Sequence, residues 1–393
     1  MSNSVNSNSG GKLVSLQVLR AIAAIMVATG HLYGIDQRFF GGPVLPASAQ
    51  FGFAGVDLFF VLSGFVMVHL TRFGAGSASI IPAFLFARIA RIYPMWWIAL
   101  GAISIVWMIR PGWVFASISG APNFLADFSL WPHQRPPLLA VGWTLIHEMY
   151  FYVAFAILLL LPARRLAWGL IGWMVMVAIG NVWLTFDSTA IGASPMVTLI
   201  THPLTLNFGL GAAVGLFAAR GLRPMPQVLL GFGVAWALVA GFLELQSPLA
   251  LFESNWQRVL SFGPAWAFIV WGMVGLEADR GYVPLKKLSG LGDSSYALYL
   301  IHVPIYAASA RIIAPFCGSG AWDNVIAWLG LLTIAVITAL LMHQLIERPI
   351  LKRLTKLRCK FLPTGSALMP SPPSPLGTKD ENNFVIFNRI KWS

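Results

Sequence analysis

The stretch LVSLQVLRAIAAIMVATGHLY, residues 13–33, decides the class of this chain. It is long and apolar enough to cross a bilayer, yet it carries Arg20 and His31. Eleven residues at about 100° each return almost to the starting angle, so the two side chains share one helical face, about 16 Å apart along the axis. A guanidinium in hydrocarbon costs from ~2.5 to above ~10 kcal/mol unless protein or a wet cavity meets it. The pair therefore marks a functional face on which other charges of the chain are expected to converge.

Hydrophobic residues make up 57% of the 393 residues and charged residues 10%, against about 25% charged in soluble domains. An all-α polytopic membrane protein follows. The net charge of +12 is carried in short loops between apolar runs and in the tail. Positive-inside topology accounts for it without a nucleic-acid partner. Cys317 and Cys359 fall on opposite sides of the membrane by that topology, so no disulfide is expected between them, and they match no metal-ligand spacing.

Apolar runs of near-spanning length recur about ten times, at 13–33, 52–70, 86–109, 142–161, 166–186, 197–219, 227–243, 259–276, 294–313 and 325–346. With the N-terminus inside, 20 of the 26 Lys and Arg face the cytoplasm. Arg38, Arg110, Arg135, Arg258 and Arg311 lie outside and Arg20 lies within the membrane, giving N-in and C-in topology. Three segments follow: a polar, disordered cytoplasmic N-terminus at 1–12, a ten-helix membrane domain at 13–346, and a cytoplasmic tail at 347–393. The tail begins as the basic ERPILKRLTKLRCK, suited to anionic lipids, and continues Pro/Ser-rich. Before it, the one long extramembrane segment is 110–141, on the outer side, where it could cap a pocket. No soluble catalytic domain is appended, and no internal repeat is evident.

Several ionisable residues can be placed against the Arg20/His31 face. Asp57, near the outer end of the second run, and Glu148, in the outer half of the fourth, are expected at the depth of His31. Either could accept from one imidazole nitrogen and raise the basicity of the other; depth favours neither. Arg88 and Arg91 open the third run, three residues apart, and beside Arg20 would form an anion site for phosphates. The bland alternative is a pair of snorkelling interfacial anchors. Trp143, Tyr299 and His302 are candidate lining residues of the same cavity. Plainer roles suit the remainder: His69 and His343 at interfaces, His147 as a packed neighbour, Asp293 with Ser294 and Ser295 as a helix cap, and Ser63 with Gly64 for close helix packing.

Six segments together resemble the membrane acyltransferase 3 family, in family order from Gln17 to Pro349. They are QVLRAIAAIMVATGH, GVDLFFVLSGFVM, FLFARIARIYPMWW, WTLIHEMYFY, SYALYLIHVP and IERP. The resemblance is closest to the exopolysaccharide-production branch. One departure is Asn207, where members often carry Glu before Phe-x-x-Gly.

The resemblance implies a multi-pass enzyme of the bacterial inner membrane that O-acylates a glycan. Acyl-CoA, in the first instance acetyl-CoA, would be the cytoplasmic co-substrate, with no permanently bound cofactor. The acceptor would be a hydroxyl of an extracytoplasmic polysaccharide or lipid-linked glycan. Arg88 and Arg91 would engage the phosphates of coenzyme A, with Arg20 further along the path. His31 would be the general base, oriented by Glu148 or Asp57, and Arg20, Tyr299 or His302 would donate to the oxyanion. Direct transfer and an acyl-enzyme both remain open. The rival classes are a transporter using Arg20, His31 and Glu148 as a substrate or proton relay, and a glycan polymerase or flippase.

Overall fold

A computed structural model describes residues 13–40, 47–71, 75–114, 120–186, 194–246, 255–317 and 321–361. The expected N-terminal segment 1–12, Arg72, the tail beyond 361 and the side chain of Cys359 lie outside the described residues. The described residues are helical and contain no strand. Among the described residues nine helices are long and apolar enough to cross a membrane, and a tenth apolar helix of 17 residues accompanies them. The protein is an all-α polytopic membrane protein.

In chain order the elements are α1 (Val14–Phe39), α2 (Ala54–Thr71), α3 (Ile81–Ile109), α4 (Phe124–Ser129) and α5 (Gly142–Leu158). There follow α6 (Ala163–Phe186), α7 (Pro195–Ile200), α8 (Thr205–Ala219), α9 (Pro226–Gln246) and α10 (Asn255–Arg280). The last are α11 (Ser289–Asp293), α12 (Ser295–Ile313), α13 (Ala321–Met342) and α14 (Arg348–Phe361). A π-helical turn, His343–Glu347, joins α13 to α14 without a break in the helix. Helices α2 and α10 are the most enclosed spans, whereas α6, α9 and α13 are peripheral. Their outward faces carry Trp168, Ile179, Trp183, Leu238 and Ile326, an apolar surface fit for acyl chains.

Helix α1 divides the bundle. Val27, Ala28, Leu32 and Ile35 pack into one apolar cluster with α3, α5 and α12; Leu16, Val18 and Leu19 pack into a second with α2 and α10. Leu13 cannot cap α1, so its first amides turn to another helix: Val14 N and Ser15 N each donate to the carboxylate of Glu277 on α10, both at 2.8 Å. Helices α2 and α8 touch backbone to backbone. A Cβ on Gly64 would stand 1.9 Å from Phe208 O, and one on Gly211 would stand 1.8 Å from Val61 O. The close-packing role read for Gly64 is thus observed. Ser294 occupies the N-cap of α12, with its Oγ donating back to Leu291 O at 3.0 Å.

Three departures from the sequence bear on the site. Helix α3 begins at Ile81, so Arg88 and Arg91 do not open it; they lie two turns in, and Arg88 is buried. Arg258, counted as an outer-loop residue, lies in the first turn of α10 and is buried. Of the outer segment 110–141, residues 115–119 lie outside the described residues, and residues 120–141 fold back along α3. Trp96 Nε1 donates to Asp127 O at 2.9 Å, Trp97 Nε1 to Phe128 O at 2.9 Å and Tyr93 OH to Ser129 O at 2.8 Å. Trp96 is 13 residues before Ile109, so α4 is pinned about 20 Å back along α3 from its end. Inside this fold-back, Asp127 is satisfied by His133 Nε2 at 2.9 Å and by Leu138 N at 3.1 Å. Helix α5 therefore starts beside Trp96, which a Cβ on Gly142 would meet, and its 17 residues reach only about 25 Å.

The glycine contacts carry a prediction. Gly64→Leu forces α2 away from α8 and lowers the thermal stability of detergent-purified protein, overpacking costing about 1–3 kcal/mol or more. Gly101→Ala, where a Cβ meets nothing within 4 Å, does not lower it.

Candidate active site

Two polar centres lie along α1, one around Arg20 and one around His31. At the first, a narrow cavity of about 90 Å³ is lined by Arg20, Arg88, Arg91, Ser63, Glu148 and Tyr152, with Thr144, Tyr296 and Tyr299 among its other walls. Arg20 Nε donates to Ser295 Oγ at 3.2 Å, which fixes the guanidinium against the start of α12. Arg88 lies 5.7 Å from the ring centroids of both Phe84 and Tyr152. Three guanidiniums thus share the cavity with one carboxylate, Glu148, leaving a surplus of positive charge suited to phosphate oxygens. A second carboxylate, Glu347 of the π turn, is buried, bound by His343 Nδ1 at 2.8 Å and within electrostatic reach of Arg20.

Glu148 belongs to this arginine centre. It accepts from Ser63 Oγ at 3.3 Å and from the hydroxyl of Tyr152, one turn further along α5. The expectation that it sits level with His31 is corrected by the deep start of α5, which carries Glu148 toward the arginines.

Asp57 is also engaged elsewhere. Its Oδ2 accepts from Arg258 Nε at 2.9 Å and its Oδ1 from Asn207 Nδ2 at 2.7 Å, while Arg258 also donates to Phe53 O at 3.1 Å. Asn207, the departure from the family pattern, thus serves a buried ion pair joining α2, α8 and α10. Neither carboxylate proposed to orient His31 touches it.

The partner of His31 is another histidine. His302 Nδ1 lies 3.0 Å from Leu298 O. A carbonyl only accepts, so His302 carries its proton on Nδ1 and presents Nε2 as an acceptor. That Nε2 is 3.1 Å from His31 Nδ1, which is also 3.0 Å from Val27 O. Both neighbours of His31 Nδ1 are acceptors, so His31 is the Nδ1–H tautomer and its Nε2 holds the free lone pair. The rings of Phe53 and His302 clamp the imidazole edge-on, each with its centroid 4.9 Å away.

The two centres meet at Tyr299 and Thr144. Thr144 Oγ1 is 2.5 Å from Tyr299 OH, and both hydroxyls reach Val141 O, at 2.9 and 3.3 Å. Tyr299 lines the cavity and lies against His302, ring centroids 6.0 Å apart, so this hydroxyl pair separates the arginines from the histidines. Helix α12 presents Ser295 to Arg20, Tyr299 between the centres and His302 to His31, and so runs in the same direction as α1.

Other residues singled out above fall outside this line. Trp143 packs edge-on to His147, centroids 5.5 Å apart, and is not a cavity wall. His147 donates from Nδ1 to Trp143 O at 2.8 Å and stands against His202, centroids 4.6 Å apart. His69 lies in the last turn of α2, buried and stacked on Phe65. Among the described residues no three His, Cys, Asp or Glu side chains converge as a metal-binding group. The sequence reading overlooked Tyr152, Arg258 and Glu347. Tyr152 was legible as the i+4 neighbour of Glu148; the other two depend on helix boundaries.

The ion pair yields a second prediction. Asp57→Ala strands a buried guanidinium and lowers stability by about 3–5 kcal/mol, whereas adding Arg258→Ala recovers part of the loss. Melting curves of the single and double variants in detergent check this.

Comparison with known proteins agrees with this architecture. A family profile described as an acyltransferase domain matches residues 13–344. The exopolysaccharide production protein ExoZ of Rhizobium meliloti (strain 1021) is 30% identical over 318 residues, covering 77% of this chain and 90% of that protein. The acyltransferase MdmB of Streptomyces mycarofaciens is 25% identical over 385 residues, covering 88% of this chain and 94% of that protein. A protein of Rhizobium radiobacter called protein 2 in the picA locus is 29% identical over 164 residues, 37% of this chain and 81% of its own. No solved structure matches the chain significantly. With the profile spanning its helical bundle from α1 to the π turn, the chain belongs to the membrane acyltransferase 3 family.

Proposed function

We propose that this acyltransferase moves an acetyl group from cytoplasmic acetyl-CoA to a hydroxyl of an extracytoplasmic glycan, across the inner membrane of a bacterium. The observation that carries it is the pairing, along one face of α1, of a polycationic cavity with an imidazole whose Nε2 is free to accept a proton. The Lys and Arg distribution supports a cytoplasmic position for the arginine centre. The name of ExoZ supports a polysaccharide acceptor.

In this mechanism Arg88, Arg91 and Arg20 hold the phosphates at the mouth and draw the pantetheine arm inward. A cavity of about 90 Å³ is far below the roughly 300–1,000 Å³ of sites that enclose a drug-sized ligand. It suits a short acyl thioester, with the nucleotide left outside. The thioester carbonyl reaches the histidines past Tyr299 and Thr144. His31 Nε2 takes the proton of the acceptor hydroxyl as its oxygen attacks the carbonyl carbon. The imidazolium so formed keeps its Nδ1–H on Val27 O and on His302 Nε2, so His302 fills the orienting role expected of a carboxylate. Tyr299 OH is the donor nearest both centres and turns to the oxyanion. Collapse breaks the C–S bond, and the departing thiolate receives the proton held on His31 Nε2, which leaves free CoA and restores the neutral imidazole. No acyl-enzyme is required.

Steady-state release of CoA from acetyl-CoA by purified protein in liposomes, with glycan acceptor present, tests these assignments. His31→Ala lowers kcat by about 10²–10⁴-fold, the ordinary worth of a general base. His302→Ala lowers kcat by a smaller factor with the KM for acetyl-CoA unchanged. Arg91→Ala raises that KM with little change in kcat, as lost uniform binding should. Solute flux without CoA release would contradict the proposal and favour a transporter; full turnover in His31→Ala would remove the base.

A further inference from the structure

Glu347 is a buried carboxylate beside the arginine cavity that the mechanism does not use. It is not a cavity wall but stands behind one, within electrostatic reach of Arg20 and of Tyr296, both of which line the cavity. Its side chain is 4% exposed, and its Oε2 accepts from His343 Nδ1 at 2.8 Å. Arg20 gives its Nε to Ser295 Oγ, which leaves its terminal nitrogens to other partners.

The backbone is irregular where it buries this group. Leu331, Ala335 and Ala339, four residues apart, are fully buried and form the inner edge of α13. Glu347 lies 16 residues beyond Leu331. On an uninterrupted α-helix, at about 100° per residue, it would point about 160° away from Leu331 and out of the bundle. The π turn His343–Glu347, with its i→i+5 bonds, takes up an extra residue and reverses that drift, so Glu347 is turned inward and buried. Burying an ionised carboxylate is costly unless a cation meets it, and Arg20 is a cation within its reach.

The chemistry of the donor gives such a carboxylate a use. Acetyl-CoA and CoA carry the same phosphates, so each guanidinium that captures the donor holds the product equally. Three guanidiniums facing Glu148 alone would retain CoA as firmly as they capture its thioester. A second carboxylate behind Arg20 takes one charge off that surplus without entering the space of the phosphates.

We propose that Glu347 is a positioning residue of the phosphate site: acting through Arg20, it holds that guanidinium in place and offsets its charge, so that CoA is released once formed. This rests on the acyl-CoA donor proposed above and names a residue that sets its affinity.

Glu347→Gln tests this, because the amide oxygen keeps an acceptor for His343 while the charge is lost. In full-length protein in liposomes, with acetyl-CoA and glycan acceptor, it should lower both the KM for acetyl-CoA and the inhibition constant of CoA by about tenfold. Calorimetry without acceptor should show the Kd for CoA falling by the same factor. Acetyl-pantetheine, the same thioester without the nucleotide phosphates, should keep its KM, an exemption that a merely structural role for Glu347 would not give. Glu347→Asp, which retains the charge, should move the constants back toward those of the unaltered protein. In an Arg20→Gln background, where the charge to be offset is gone, adding Glu347→Gln should change none of them. A KM for acetyl-CoA that is unchanged or raised in Glu347→Gln overturns the proposal. So does an equal fall for acetyl-pantetheine, or the same fall in the Arg20→Gln background. If no variant releases CoA from acetyl-CoA and Glu347→Gln still tightens CoA binding, the role of Glu347 stands and the acyl transfer falls.

Discussion

A charge inside a bilayer has to be met by protein, and in this molecule one helix meets both of the polar groups that α1 carries into the membrane. Ser295 of α12 receives Arg20, and seven residues on, His302 receives His31. This pairing sets the two helices side by side in the same direction and puts Tyr299 between the two centres. The rest of the bundle answers the same constraint. Arg258 and Asp57 neutralise each other with Asn207 as a third partner, and Glu148 enters a cavity already crowded with guanidiniums.

The path of residues 120–141 bears directly on the geometry of the site. By descending along α3 it shortens α5 and shifts Glu148 away from the histidines. That shift leaves the orientation of His31 to a neutral imidazole. In the proposed mechanism, an imidazole acceptor would stabilise the developing imidazolium by a hydrogen bond and not by a full opposite charge.

Much of this was legible in the chain. The expense of Arg20 and His31 on one apolar face pointed to α1, the ten apolar runs anticipated the ten apolar helices, and the three-residue spacing of Arg88 and Arg91 anticipated a shared face. Depth was harder to read. Counting from the ends of apolar runs assumes that each helix begins at the same membrane level, and α5 does not. The same assumption put Arg258 in a loop, since the apolar run at 259–276 starts after the first turn of its helix. The role of His302 depended on tautomers, and those follow from which backbone carbonyls its ring and that of His31 face, which no spacing reveals.

The central claim is that acyl donor and acceptor meet from opposite sides at His31. Sidedness in oriented proteoliposomes tests it most directly, with labelled acetyl-CoA supplied on one side only and glycan acceptor on the other. The account predicts acetylated glycan on the side away from the CoA when the donor faces Arg88 and Arg91. It predicts none when donor and acceptor both face the histidine end. Product formed equally in both arrangements, or only with donor and acceptor on the same side, would contradict it.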